Sequence, residues 1–130
     1  MNMFFDEYPS GERRKFKRLP FKEAVQYNFR ETNDIGGCLA CDIGEGGIRL
    51  TVPDFIPIET ELGINILFSN PSKVADISGR VAWIQRIPSL DRYQIGLTFT
   101  NNDSEIQARK MIAQYVNAQS GQDQEDLNPI

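Results

Sequence analysis

The chain has 130 residues, 40% of them hydrophobic and 25% charged, with a net charge of −4. Those values suit one globular domain with enough core to fold without disulfides or metals. No apolar run approaches the roughly eighteen residues that a helical membrane span needs, and the lack of any histidine removes the usual general base and the commonest metal ligand.

Residues 1–11 read as a flexible leader. Asp6 and Glu7 flank a brief apolar patch of Met3, Phe4 and Phe5, unlike the basic start and long apolar stretch of a secretory signal. A reducing cytoplasm is therefore expected. Residues 13–22 then hold six cations (Arg13, Arg14, Lys15, Lys17, Arg18 and Lys22) and no acid. The overall field of an acidic chain repels long nucleic acid and anionic membranes, while such a patch attracts a small anion. A solvated basic flank is the competing reading.

Period-two alternation follows through most of the chain and predicts six strands. Val25, Tyr27 and Phe29 share one face. Gly37, Leu39, Cys41 and Ile43 share another, which places Cys38, Ala40 and Asp42 outward. Ile48, Leu50 and Val52 alternate with Arg49 and Thr51, so Arg49 also points outward. Leu62, Ile64, Ile66 and Phe68 form the fourth apolar face. Ala75, Ile77, Val81 and Trp83 form the fifth, which assigns Trp83 to the core. Tyr93, Ile95, Leu97 and Phe99 form the sixth. Turn-forming residues separate these runs, among them Asn33-Asp34, Gly44 to Gly47 and Pro88-Ser89.

Cys38 and Cys41 form a C-x-x-C without the further ligands that zinc requires. Residues three apart on a strand face opposite ways, so free thiols are expected. After the last strand, Ser104 and Gln107 match a capping box. Ala108, Met111, Ile112, Tyr115 and Val116 follow at helical spacing. The expected fold is all-β with one helix: a six-stranded antiparallel small β-barrel over residues 12–118, closed by a C-terminal helix from about Glu105 to Ala118. Residues 119–130 read as a disordered acidic tail.

Two segments carry candidate chemistry. Arg14 and Arg18 are spaced R-x-x-x-R, with Arg13 directly before. Each guanidinium is a planar fork suited to phosphate oxygens and to the O6/N7 edge of guanine. The second segment is the turn Asp42-Ile43-Gly44-Glu45-Gly46-Gly47. It offers an outward carboxylate that can accept from a guanine N1/N2 face, and glycines that permit positive φ and close approach of a ligand to the backbone. Taken alone, the turn reads equally as a tight bulged hairpin.

In combination the segments resemble the PilZ domain, a bacterial receptor for cyclic di-GMP with the paired motifs R-x-x-x-R and [D/N]-x-S-x-x-G. Arg14 and Arg18 match the first motif. Asp42 and Gly47 match the ends of the second. Gly79 to Trp83 and Tyr93 to Phe99 also look alike, so the resemblance covers about residues 12–117. It implies that Arg14 and Arg18 clamp phosphate and guanine, that Asp42 accepts from a base, and that Gly47 permits close approach. It further implies that Arg13 helps hold a second, intercalated ligand molecule. Arg49, by its outward parity, reads as an extra contact. Gly44 stands where the family has serine, and losing that hydroxyl contact costs roughly 0.5–1.5 kcal/mol. With no histidine, no nucleophile–base pair and no metal set in the sequence, no enzyme, metal or cofactor is expected. The resemblance implies a receptor that signals to an unidentified protein partner in motility or biofilm control. The charge density of the basic run adds the expectation that this arm orders when an anion neutralises it. The acidity of the rest of the chain leaves no nucleic-acid polymer and no membrane insertion among the expected partners. The alternative is a ligand-independent interaction module docked on motility or exopolysaccharide machinery.

Overall fold

Strands with one apolar face must bury it, and here they do so by curling into a ring. The structure, a computed structural model, describes residues 18–69 and 72–127, the side chains of Ser72 and residues 120–127 excepted. Its strands are β1 (Arg18–Pro20), β2 (Ala24–Phe29), β3 (Ile35–Gly44), β4 (Gly47–Val52), β5 (Glu61–Ser69), β6 (Ser72–Ile87) and β7 (Arg92–Phe99). All pairings are antiparallel, in the order β1-β3-β2-β5-β6-β7-β4, and β4 returns to pair with β3. The result is a closed six-stranded barrel of β2 to β7, with β1 added against the end of β3. The six expected strands are these six. The short β1 contains Pro20 and has no period to detect.

The barrel interior is filled by Ile43, Ile48, Leu50, Val52, Leu62, Ile64, Ile66, Ile77, Val81 and Ile95, all buried. Each such side chain contributes on the order of 1.5–3 kcal/mol relative to an exposed one. Closure also removes most free sheet edges.

Two β-bulges reset the faces, and both overturn expected parities. The β3–β4 register shifts between Ala40 and Asp42. Before the shift, Cys38 and Ala40 face the core while Leu39 is 60% exposed, the reverse of the alternation expected there. After it, Ile43 is buried and Asp42 points outward. Cys41 is the extra residue. The second bulge lies between Val81 and Trp83, with Ala82 as the extra residue. It turns Trp83 out of the core, so its expected inward placement is wrong.

The C-terminal helix α1 (Ile106–Leu127) follows a single 3₁₀ turn at Asp103–Glu105. It covers one barrel end with Ala108, Ile112 and Val116. Tyr115 joins a ring cluster, 5.6 Å from Phe21 and 4.7 Å from Phe68 between centroids. The expected capping box does not form. Asn102, not Ser104, occupies the cap of the 3₁₀ turn and makes no side-chain cap bond. Glu105 is drawn away to β6, where it binds Ser78. The helix also continues past Ala118 to Leu127, since no proline interrupts the chain before Pro129.

Both cysteines are free. Burial pushes the Cys38 thiol up to about 12, with a smaller contribution from Cys41. Its value rises from an ordinary 9.0, so folding favours the protonated thiol. That stabilisation is complete below about pH 9 and is lost as pH rises toward 12. At pH 8 iodoacetamide is expected to label the half-buried Cys41 and spare Cys38 until unfolding. Mass spectrometry of the tryptic peptides checks this, and equal labelling rates would refute it.

Candidate ligand site

The first bulge brings a carboxylate and two guanidiniums together on the outer wall. Asp42 pairs in register with Pro20 of β1 and with Arg49 of β4. Arg49 Nη2 stands 2.6 Å from Asp42 Oδ2. Arg18 Nη1 donates to Asp42 Oδ1 over 3.5 Å. The Asp42 side chain keeps only 14% of its exposure, against 29% and 36% for the two arginines. The carboxylate therefore sits at the base of the group and the guanidiniums form its rim. Arg49 Nε is buried and has no hydrogen-bond partner.

The register row continues beyond Arg49. Arg49 pairs with Gly96 of β7, and Gly96 with Trp83 of β6. A side chain at Gly96 would run into the Trp83 indole, whose nitrogen lies closest. The indole thus lies over a strand that carries no side chain at that point, on the same outer wall as Asp42. It is half-buried. A flat aromatic surface beside a guanidinium–carboxylate group suits a planar base. Strict alternation missed this residue. The signal was present as four consecutive apolar residues, Val81-Ala82-Trp83-Ile84, which a regular strand with one wet face does not tolerate.

A second polar row flanks the first. Cys41 Sγ lies 3.4 Å from Thr51 Oγ1, and Gln94 Nε2 donates weakly to Cys41 Sγ at 3.8 Å. Thr51 and Gln94 are register partners. These residues form the wall beside Asp42 and Arg49.

The expected glycine roles change. No described glycine has positive φ. Gly47 is required for spacing, because a Cβ there would meet the Leu97 carbonyl oxygen of β7. Gly44 closes β3 opposite Arg18. Arg13 and Arg14 lie outside the described residues, so only Arg18 of the basic run is seen at the site. Among the described residues no cluster of histidine, cysteine or carboxylate side chains has the form of a metal site. None of their helices is long and apolar enough to cross a membrane.

The family model of the PilZ domain matches residues 12–118, and the chain belongs to that family. A comparison with curated proteins finds no match. Among solved structures, the inhibitor of motility MotI/DgrA of Bacillus subtilis aligns with a TM-score of 0.68 at 18% identity, over 84% of this chain and 52% of that one. The K. pneumonia MrkH–c-di-GMP complex aligns at 0.68 and 16% identity, over 88% and 55%. The PilZ domain of Escherichia coli YcgR with c-di-GMP aligns at 0.64 and 10% identity, over 91% and 99%. The chain thus spans about half the length of the first two and nearly all of the isolated YcgR domain. At these identities the likeness is one of fold.

Proposed function

We propose that this domain is a receptor for cyclic di-GMP, bound on the outer wall of the barrel around Asp42. One observation carries the reading: the aspartate of the D-x-x-x-x-G turn stands outward between Arg18 and Arg49, inside a PilZ barrel. Membership of the family and the c-di-GMP complexes of MrkH and YcgR support it. Arg14 and Arg18 take phosphate and guanine edges, and Asp42 accepts from a base. Trp83 offers its ring to a second planar surface. Arg13 supports a second ligand molecule. Binding orders the arm that carries these arginines, and the ordered arm is what a cytoplasmic protein partner reads. The domain is a binding module, with no catalytic step assigned to it.

Titration calorimetry with cyclic di-GMP tests the reading, with GTP and cyclic AMP as controls. Binding by the parent protein and its loss in Arg14→Ala and Arg18→Ala are expected. Trp83 is the only tryptophan, so its emission is expected to fall on saturation and to report the same dissociation constant. Binding without any change in emission would remove Trp83 from the site. Gly44, in place of the family's serine, favours a second reading as an interaction module that needs no ligand. Absence of heat at high cyclic di-GMP would select it.

A further inference from the structure

Asp42 has two oxygens and, in this structure, two different guanidiniums. Arg18 takes Oδ1 at 3.5 Å and Arg49 takes Oδ2 at 2.6 Å. The Nε–H and Nη2 groups of an arginine form one edge of its fork, built to grip both oxygens of a carboxylate at once. Arg49 uses only half of that edge. Its Nη2 holds Asp42, while its Nε is buried and unpartnered. A buried N–H without an acceptor is costly. The oxygen that would satisfy it, Oδ1, is the one engaged by Arg18.

We propose that Arg49 is the positioning residue of this site, which closes onto both oxygens of Asp42 when Arg18 turns from the carboxylate to the ligand. The proposal rests on the receptor reading for its ligand and on the geometry of Arg18, Asp42 and Arg49 for its mechanism. Arg18 belongs to the three-residue β1 at the end of the basic run and reaches Asp42 from the barrel margin. Arg49 sits mid-strand in β4 and is the register neighbour of Asp42, so it stays where Arg18 leaves. The exchange offsets the ion pair that ligand binding breaks, and it keeps the aspartate from swinging away. Arg49 thus acts through Asp42 rather than as the extra ligand contact that parity alone suggested.

The test has a ligand-free arm and a ligand arm. In the first, the Arg49 Nε–H resonance is followed by ¹⁵N NMR in the parent, in Arg18→Ala and in Arg18→Gln, two variants so that one folded sample suffices. Removal of Arg18 is expected to move that resonance downfield and slow its exchange with water. An unchanged resonance overturns the proposal whether or not any ligand binds. In the second, saturation of the parent with cyclic di-GMP is expected to produce the same change. Arg49→Lys keeps the charge but not the two-point edge, and it is expected to weaken binding about tenfold, the scale of one charge-assisted bond. Binding of Arg49→Lys within twofold of the parent overturns the proposal. So does a resonance that responds to ligand but not to loss of Arg18, since Arg49 would then touch the ligand itself. Failure of the parent to bind cyclic di-GMP counts against the receptor reading alone, and the ligand-free arm then decides the role of Arg49.

Discussion

Asp42→Ala is expected to lower cyclic di-GMP affinity by about two to four orders of magnitude, the scale of two lost hydrogen bonds to a charged group at about 1.5–3 kcal/mol each. It should also destabilise the free protein. Two guanidiniums converge on this one carboxylate, and without it they face each other. Both arginines are about a third exposed, so water screens much of the repulsion. A cost of about 1–2 kcal/mol remains, or roughly 3–8 °C in melting temperature for a domain of this size. Arg18→Ala separates the two effects. Its loss leaves Asp42 held by Arg49, so binding should fall steeply while the melting temperature moves by less than about 2 °C. Calorimetric titration and thermal melts of the two variants check this. Asp42→Ala protein that binds within threefold of the parent would place the ligand elsewhere.

This site depends on a detail that period-two reading does not capture. Strict alternation put Asp42 outward and Ile43 inward, and both stand so. It reached that result through the wrong parity for Cys38, Leu39 and Ala40, because one inserted residue shifts every side chain before it to the other face. Nothing in Gly36-Gly37-Cys38-Leu39-Ala40-Cys41 distinguishes a bulged from a regular strand, since small apolar residues suit either face. Trp83 fails for the same reason after the bulge at Ala82. The closed barrel was legible because it needs only a count of one-sided strands, and Ile, Val and Leu supplied that count at six places. The Asp42–Arg49 pair was half legible. Both were assigned outward, but their adjacency depends on a cross-strand register that the hairpin sets. The spacing role of Gly47 depends on the Leu97 carbonyl of β7, distant in sequence, and no local pattern predicts it.

The same contrast between local pattern and distant partner sets the expected behaviour at the helix start. Ser104 matched a helix cap, yet the neighbouring Glu105 makes the long-range bonds. Its carboxylate accepts from the Ser78 backbone N–H at 2.9 Å and from the Ser78 hydroxyl at 2.8 Å. Arg30 of the β2–β3 turn completes the group, with Nη2 donating to Ser78 Oγ at 2.7 Å and lying 3.7 Å from Glu105 Oε2. Ser78 is only 3% exposed, near the point where β7 gives way to the segment leading to α1. The glutamate therefore supplies the acceptor for a buried backbone donor and pins the start of α1 to the barrel. Glu105→Ala removes two charge-assisted bonds and leaves that N–H without its partner, a loss of about 3 kcal/mol. The melting temperature should drop by about 10 °C at roughly 3–4 °C per kcal/mol. Glu105→Gln keeps an acceptor and should lose about half as much. Ser104→Ala, which removes only the supposed cap, should stay within about 0.5 kcal/mol of the parent. Denaturant melts of the three variants give the order directly. A Ser104→Ala loss as large as that of Glu105→Ala would restore the capping box and dissolve the link between Glu105 and Ser78.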